Sequence, residues 1–243
     1  MEIVEFGTKN SEVIILLHGG GLSWWNFRAE AELLAPTYHV VLPILDGHAG
    51  SDEDFQSIRA NAQRIISFVD QNYHGKVFLI GGLSLGAQIL VEMLTLRNDI
   101  CHYAIIERAN VIPSKLTNIM IPFSINLSYG LIQKPWFSKL QFQSLKMDNH
   151  FYPEYYRDTR LITKANMISF LEANTSFEAA SNLKSCQVNT RIVVGAKENG
   201  AIKRSAKILH EMMPHSTLEI KKDLYHGQYP LNCPQAYVQD LID

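Results

Sequence analysis

The sequence predicts an α/β protein, a mostly parallel sheet with helices on both faces and a helical cap inserted in the middle of the chain. Three observations predict it. Short apolar, β-rich runs alternate with longer helical patterns, as crossover connections between parallel strands require. Gly82-Leu83-Ser84-Leu85-Gly86 follows the apolar run Val77-Phe78-Leu79-Ile80 and precedes a helical pattern, so a strand turns sharply into a helix there. The alternation then stops between about Ile112 and Leu183, where the chain is rich in prolines and aromatics, and resumes at Arg191.

Taken in order, Val13 to Leu17 reads as a fully buried strand and His39 to Leu45 as the next, with a helix from Phe27 to Ala35 between them that stops at Pro36. Asp54 to Asn72 carries helical spacing through Ile58, Ile65, Ile66 and Val69. Lys76 to Ile80 is the strand before the serine, Ala87 to Arg97 the helix behind it, and His102 to Ile106 the following strand. After the irregular segment come a strand at Arg191 to Val194, a helix at Ala201 to Met212, a strand at Thr217 to Ile220 and a closing helix near Gln235 to Ile242. Residues 1–111 and 184–243 are thus expected to form the core, and 112–183 a helical cap.

The chain's 243 residues suffice for one large domain, and 47% hydrophobic with 19% charged residues is ordinary for a globular protein. A formal charge of −2 offers no overall basic field for nucleic acid or for an anionic membrane. No apolar run reaches membrane-spanning length, and Met1-Glu2-Ile3-Val4-Glu5 lacks the basic-then-apolar layout of a signal peptide. Cys101, Cys186 and Cys233 are few, odd in number and widely spaced, which fits reduced thiols and a cytoplasmic protein. Neither a metal-ligand spacing nor a nucleotide loop is visible, so no metal and no cofactor is expected.

The candidate chemistry centres on Ser84. A serine on a strand-to-helix turn is held clear of the sheet with its hydroxyl exposed, and the helix behind it offers unpaired N–H groups where an oxyanion forms. His18-Gly19-Gly20-Gly21 directly follows the first buried strand, and glycines there let backbone N–H groups approach a substrate oxygen. Gly20 and Leu85 are the expected oxyanion donors. Of nine histidines, only His226 follows the last strand on a loop; His210 falls in a helix, His215 before a strand, and His18 and His48 read as loop braces. Glu198, in the turn after Arg191 to Val194, is the expected acid, with Glu107 at the end of His102 to Ile106 as its rival. Gly21, Trp24, Phe123, Trp136 and Phe142 are the expected pocket residues, although the aromatics serve equally well as the cap's own core.

These residues resemble those of the α/β-hydrolase superfamily, in particular its small capped serine esterases. The resemblance runs through the His18–Leu22 loop, the Asp46–Ser51 loop, the Gly82–Gly86 elbow, the Gly195–Glu198 turn and the His226 loop. It departs in placing glutamate where the acid turn usually carries aspartate. It implies the α/β-hydrolase fold and a two-step acyl transfer: Ser84 attacks, His226 serves as base and then acid, and water releases the acyl-enzyme. The expected substrate is a small-molecule ester or thioester with a small to medium apolar acyl group. Carbon–carbon bond hydrolysis or lysis, peptidase activity, and a weakly catalytic ligand-binding role remain open alternatives.

Overall fold

A computed structural model describes residues 1–225 and 228–242. Seven strands form one sheet: β1 (Ile3–Phe6), β2 (Val13–Leu17), β3 (His39–Pro43), β4 (Val77–Leu83), β5 (Cys101–Glu107), β6 (Asn189–Gly195) and β7 (Ser216–Lys221). Their spatial order is β1-β3-β2-β4-β5-β6-β7. β1 pairs antiparallel with β3, and all other pairs are parallel. The chain steps outward from β2 to β3 and then returns to the far side of β2 for β4. This reversal makes a topological switch point between β2 and β4, where neighbouring loops diverge and leave a crevice at the strands' carboxyl ends. Leu17 sits opposite Gly82 in that pair, so the loop after β2 and the turn after β4 emerge side by side.

The buried strands supply both layers of core. Val13, Ile15 and Leu17 face one apolar cluster, while Ile14 and Leu16 face the other, the alternation expected of a two-sided strand. On the first side lie α2 (Ile58–Tyr73), α3 (Leu85–Leu96) and α8 (Gly200–Met212); on the second lie α1 (Arg28–Leu34) and α10 (Pro234–Ile242). Residues 85–94 of α3 are all buried, which marks it as the central helix. α2 begins at Ile58, later than the expected Asp54, because the Ser57 hydroxyl accepts the Ala60 N–H at 3.0 Å and caps it. Phe55 is tied elsewhere: its N–H donates to Asn166 Oδ1 at 2.9 Å.

Between β5 and β6 the chain leaves the sheet for α4 (Lys115–Ile132), α5 (Pro135–Ser144), α6 (Tyr152–Thr159) and α7 (Lys164–Ser176). α9 (Gln228–Asn232) precedes α10 near the end. Besides the Phe55–Asn166 bond, polar ties at Asp158 and Asn174 fasten this inserted segment to the core. Trp25 Nε1 donates to Asp158 Oδ2 at 2.7 Å. Gln88 of α3 donates to the carbonyls of Asn110 (2.7 Å) and Asn174 (2.9 Å) and accepts from Asn174 Nδ2 (2.8 Å).

Candidate active site

Ser84 sits where β4 gives way to α3, at φ 54° and ψ −109°, a conformation that residues with side chains rarely adopt. The turn is over-determined. Ser84 N–H donates to the Glu107 carbonyl at 2.9 Å, and Gln88 N–H donates to the Ser84 carbonyl at 3.0 Å. The flanking glycines answer a steric demand: a Cβ on Gly82 would lie 2.5 Å from Gly86 O, and one on Gly86 would lie 2.2 Å from Leu17 O. Strand, helix and β2 backbone therefore touch, and Ser84 is left partly exposed between buried neighbours.

The loop after β2 is held open by two histidines. His18 Nε2 accepts the Leu45 N–H at 3.1 Å, so its Nδ1–H donates to Gly19 O at 2.9 Å. His48 Nε2 accepts the Gly21 N–H at 3.0 Å, so its Nδ1–H donates to Asp46 O at 3.0 Å. Both rings are thereby fixed as neutral tautomers. Burial, with the neighbouring His48, takes His18 down to about 3, and burial takes His48 down to about 4. Gly19 N–H donates to Asn26 Oδ1 at 3.0 Å, and Leu22 N–H to Gly19 O at 3.1 Å. That leaves the Gly20 N–H without a partner among the described residues. It stands beside α3: a Cβ on Gly20 would lie 3.5 Å from Leu85 Cβ, and Leu85 is the first residue of that helix, whose N–H has no carbonyl one turn back within the helix.

Among the described residues, Ser84 lines two cavities. One, of about 90 Å³, is lined by Gly19, Gly20, Leu22, Leu83, Leu145, Met147 and Leu231. The other, of about 250 Å³, is lined by Asn110, Asn174, Asn199, Ala201 and Ile202. Leu145, Met147 and Asn174 come from the inserted segment, so that segment reaches the serine. The expected aromatic wall lies elsewhere. Phe123 and Trp136 are 65% and 63% exposed, and Phe142 is buried against Tyr152 and Tyr155; none of them lines either cavity. Trp24 is half-buried against Phe6 with the Arg28 guanidinium 4.9 Å from its ring centre, and Gly21, at φ 77°, faces open space. Leu145, Met147 and Leu231 carry no local motif, which is why the sequence did not single them out.

Both candidate acids converge on one arginine. Arg108, at φ 60° and 2% exposed, places Nη1 2.8 Å from Glu198 Oε1 and Nε 3.3 Å from Glu107 Oε1. Glu107 is fully buried, and neither of its oxygens has an aligned hydrogen-bond donor. Burial outweighs the Arg108 charge and pushes Glu107 up to about 8, with Glu198 adding to the rise. Burial thus disfavours the ionised form of Glu107. Arg108 went unnoticed in the sequence, although a cation directly after a strand-end glutamate was the available signal. His226 and Gly227 lie outside the described residues. Among the described residues no group of three or more His, Cys, Asp or Glu is placed to hold a metal ion.

Residues 14–240 match the alpha/beta hydrolase family model, and the chain belongs to that family. Solved structures share the fold at low identity. An esterase from Exiguobacterium antarcticum matches with a TM-score of 0.81 and 18% identity over 99% of this chain and 93% of its own. An enol-lactonase from Burkholderia xenovorans matches with a TM-score of 0.83 and 13% identity over 100% and 95%. A thermophilic esterase from Thermogutta terrifontis matches with a TM-score of 0.76 and 16% identity over 99% and 91%.

Proposed function

We propose that this protein is a serine hydrolase that cleaves carboxylic esters or thioesters of small apolar acyl groups through Ser84, His226 and Glu198. The observation that carries this reading is the junction of a strained, partly exposed Ser84 with an apolar cavity of about 90 Å³ that Gly20 also lines, beside Leu85 at the start of α3. A volume of that size is roughly three waters' share of liquid, enough for a short acyl chain. Ser84 Oγ attacks the acyl carbonyl as His226 takes its proton, and the Gly20 and Leu85 N–H groups receive the oxyanion. His226 then protonates the leaving oxygen or sulfur, and water repeats the sequence on the acyl-enzyme. Glu198 is favoured as the acid that orients His226, because a triad acid acts ionised and burial disfavours ionised Glu107. The asparagine-lined cavity on the other side of Ser84 suits a polar leaving group.

A series of p-nitrophenyl and thiol esters of increasing acyl length tests this. Two- to four-carbon acyl groups should give the highest kcat/KM, and Met147→Ala should shift the optimum to longer chains by enlarging the cavity. A preference for long chains in the unmodified enzyme, unmoved by Met147→Ala, would overturn the assignment of that cavity to the acyl group.

A further inference from the structure

The inserted segment carries an apolar face that none of the described residues covers. On α4, Leu116, Ile119, Met120, Phe123, Leu127 and Leu131 recur at helical spacing and are all exposed, Leu116 at 77% and Leu127 at 75%. The opposite face of the same helix packs inward: Ile121 and Ile132 are buried, and Ile125 and Tyr129 lie against the core. A helix that is apolar on both sides needs an apolar neighbour on each, and among the described residues only the inner side has one. α5 adds Trp136 and Leu140, at 63% and 59% exposed.

Charge identifies the neighbour. From residue 108 to residue 147 the sequence contains no aspartate or glutamate. Lys115, Lys134, Lys139 and Lys146 are exposed, and among the described residues none of the four enters an ion pair. Their surroundings hold few acids. Asp148 is bound to His150, and Glu172 of the adjoining α7 is half-buried beside Asn118. The molecule's −2 net charge thus conceals a locally cationic, apolar surface. No helix among the described residues is long and apolar enough to cross a membrane, whereas an apolar face edged with lysines and carrying a tryptophan suits the plane of a lipid interface. A second copy placed face to face would set lysines against lysines with no acid to answer them.

We propose that the outer face of α4 and α5 docks this protein on an anionic lipid surface, with the leucine, isoleucine and phenylalanine side chains among the acyl chains and the lysines at the headgroups. The docking does not depend on the chemistry assigned to Ser84.

The test is sedimentation of the full-length protein with vesicles of phosphatidylcholine alone and of phosphatidylcholine mixed with phosphatidylglycerol. The protein should bind the anionic vesicles preferentially. Leu116→Gln combined with Leu127→Gln should weaken that binding about tenfold or more, and Lys134→Gln combined with Lys139→Gln should remove the preference for phosphatidylglycerol. Both pairs are exposed, so circular dichroism and thermal unfolding should match the unmodified protein. No binding to either vesicle, or binding that both variants leave unchanged, would overturn the proposal. So would light scattering that shows a dimer in solution split by the leucine substitutions, because a second copy would then be the occupant.

Discussion

At Ser84 the backbone and the side chain make separate demands, and variants can separate them. The turn exists because Gly82 and Gly86 allow backbone contacts of 2.5 and 2.2 Å from their absent Cβ positions. Gly86→Ala should therefore disrupt folding, whereas Ser84→Ala should leave unfolding unchanged. The two glutamates also differ in what they can lose. Burial favours the neutral form of Glu107, and it accepts no aligned hydrogen bond, so Glu107→Gln should change kcat little. Glu198→Gln should lower kcat by roughly 10³ to 10⁴, the effect of replacing a triad carboxylate by an amide. Steady-state kinetics on both variants checks the assignment, and the reverse ranking would move the role to Glu107. The turn that carries Ser84 was legible in the sequence because its surroundings impose glycine at positions 82 and 86. Arg108 was not, since its importance arises only when β5 and β6 bring two carboxylates to it.

At the scale of elements, the strands and helices of the core follow from their apolar patterns. β2, β3, β5, β6 and α8 fall within two residues of their expected bounds. β1 escaped because it is a four-residue, half-buried edge strand with too few residues to show alternation. The inserted helices escaped in detail because an exposed apolar face imitates a buried one: Phe123 and Trp136 read as pocket wall and stand in solvent. What joins these helices to the core is polar. Gln88 is fully buried and makes three hydrogen bonds to Asn110 and Asn174. Gln88→Leu removes all three and strands the partners, so chemical denaturation should show a loss of about 2–4 kcal/mol. Because Asn110 and Asn174 line the polar cavity, KM for esters with polar leaving groups should rise with it.

At the scale of the whole molecule, buried neutral histidines make stability depend on pH. His48 has its folded pKa lowered from 6.5 to about 4. Below 6.5 the unfolded chain takes up a proton that the folded protein refuses until about 4, so stability is lost as pH falls through that window. The slope is about 1.4 kcal/mol per pH unit. His48→Gln keeps an acceptor for the Gly21 N–H without titrating, so unfolding curves at pH 7 and pH 5 should show a smaller acid loss in the variant by about 2 kcal/mol. The same loop bears on the proposed function, since Gly20 lines the cavity at Ser84. The proposed function rests on one atom, Ser84 Oγ, as the nucleophile. Treating the protein with a fluorophosphonate and mapping the adduct by peptide mass spectrometry tests that claim most directly. The adduct should lie on Ser84 alone and abolish ester hydrolysis in step with labelling, and Ser84→Ala should be unlabelled, with kcat lower by on the order of 10⁴ to 10⁶. Labelling at another residue, or an alanine variant that still turns over, would contradict the assignment of Ser84 as nucleophile.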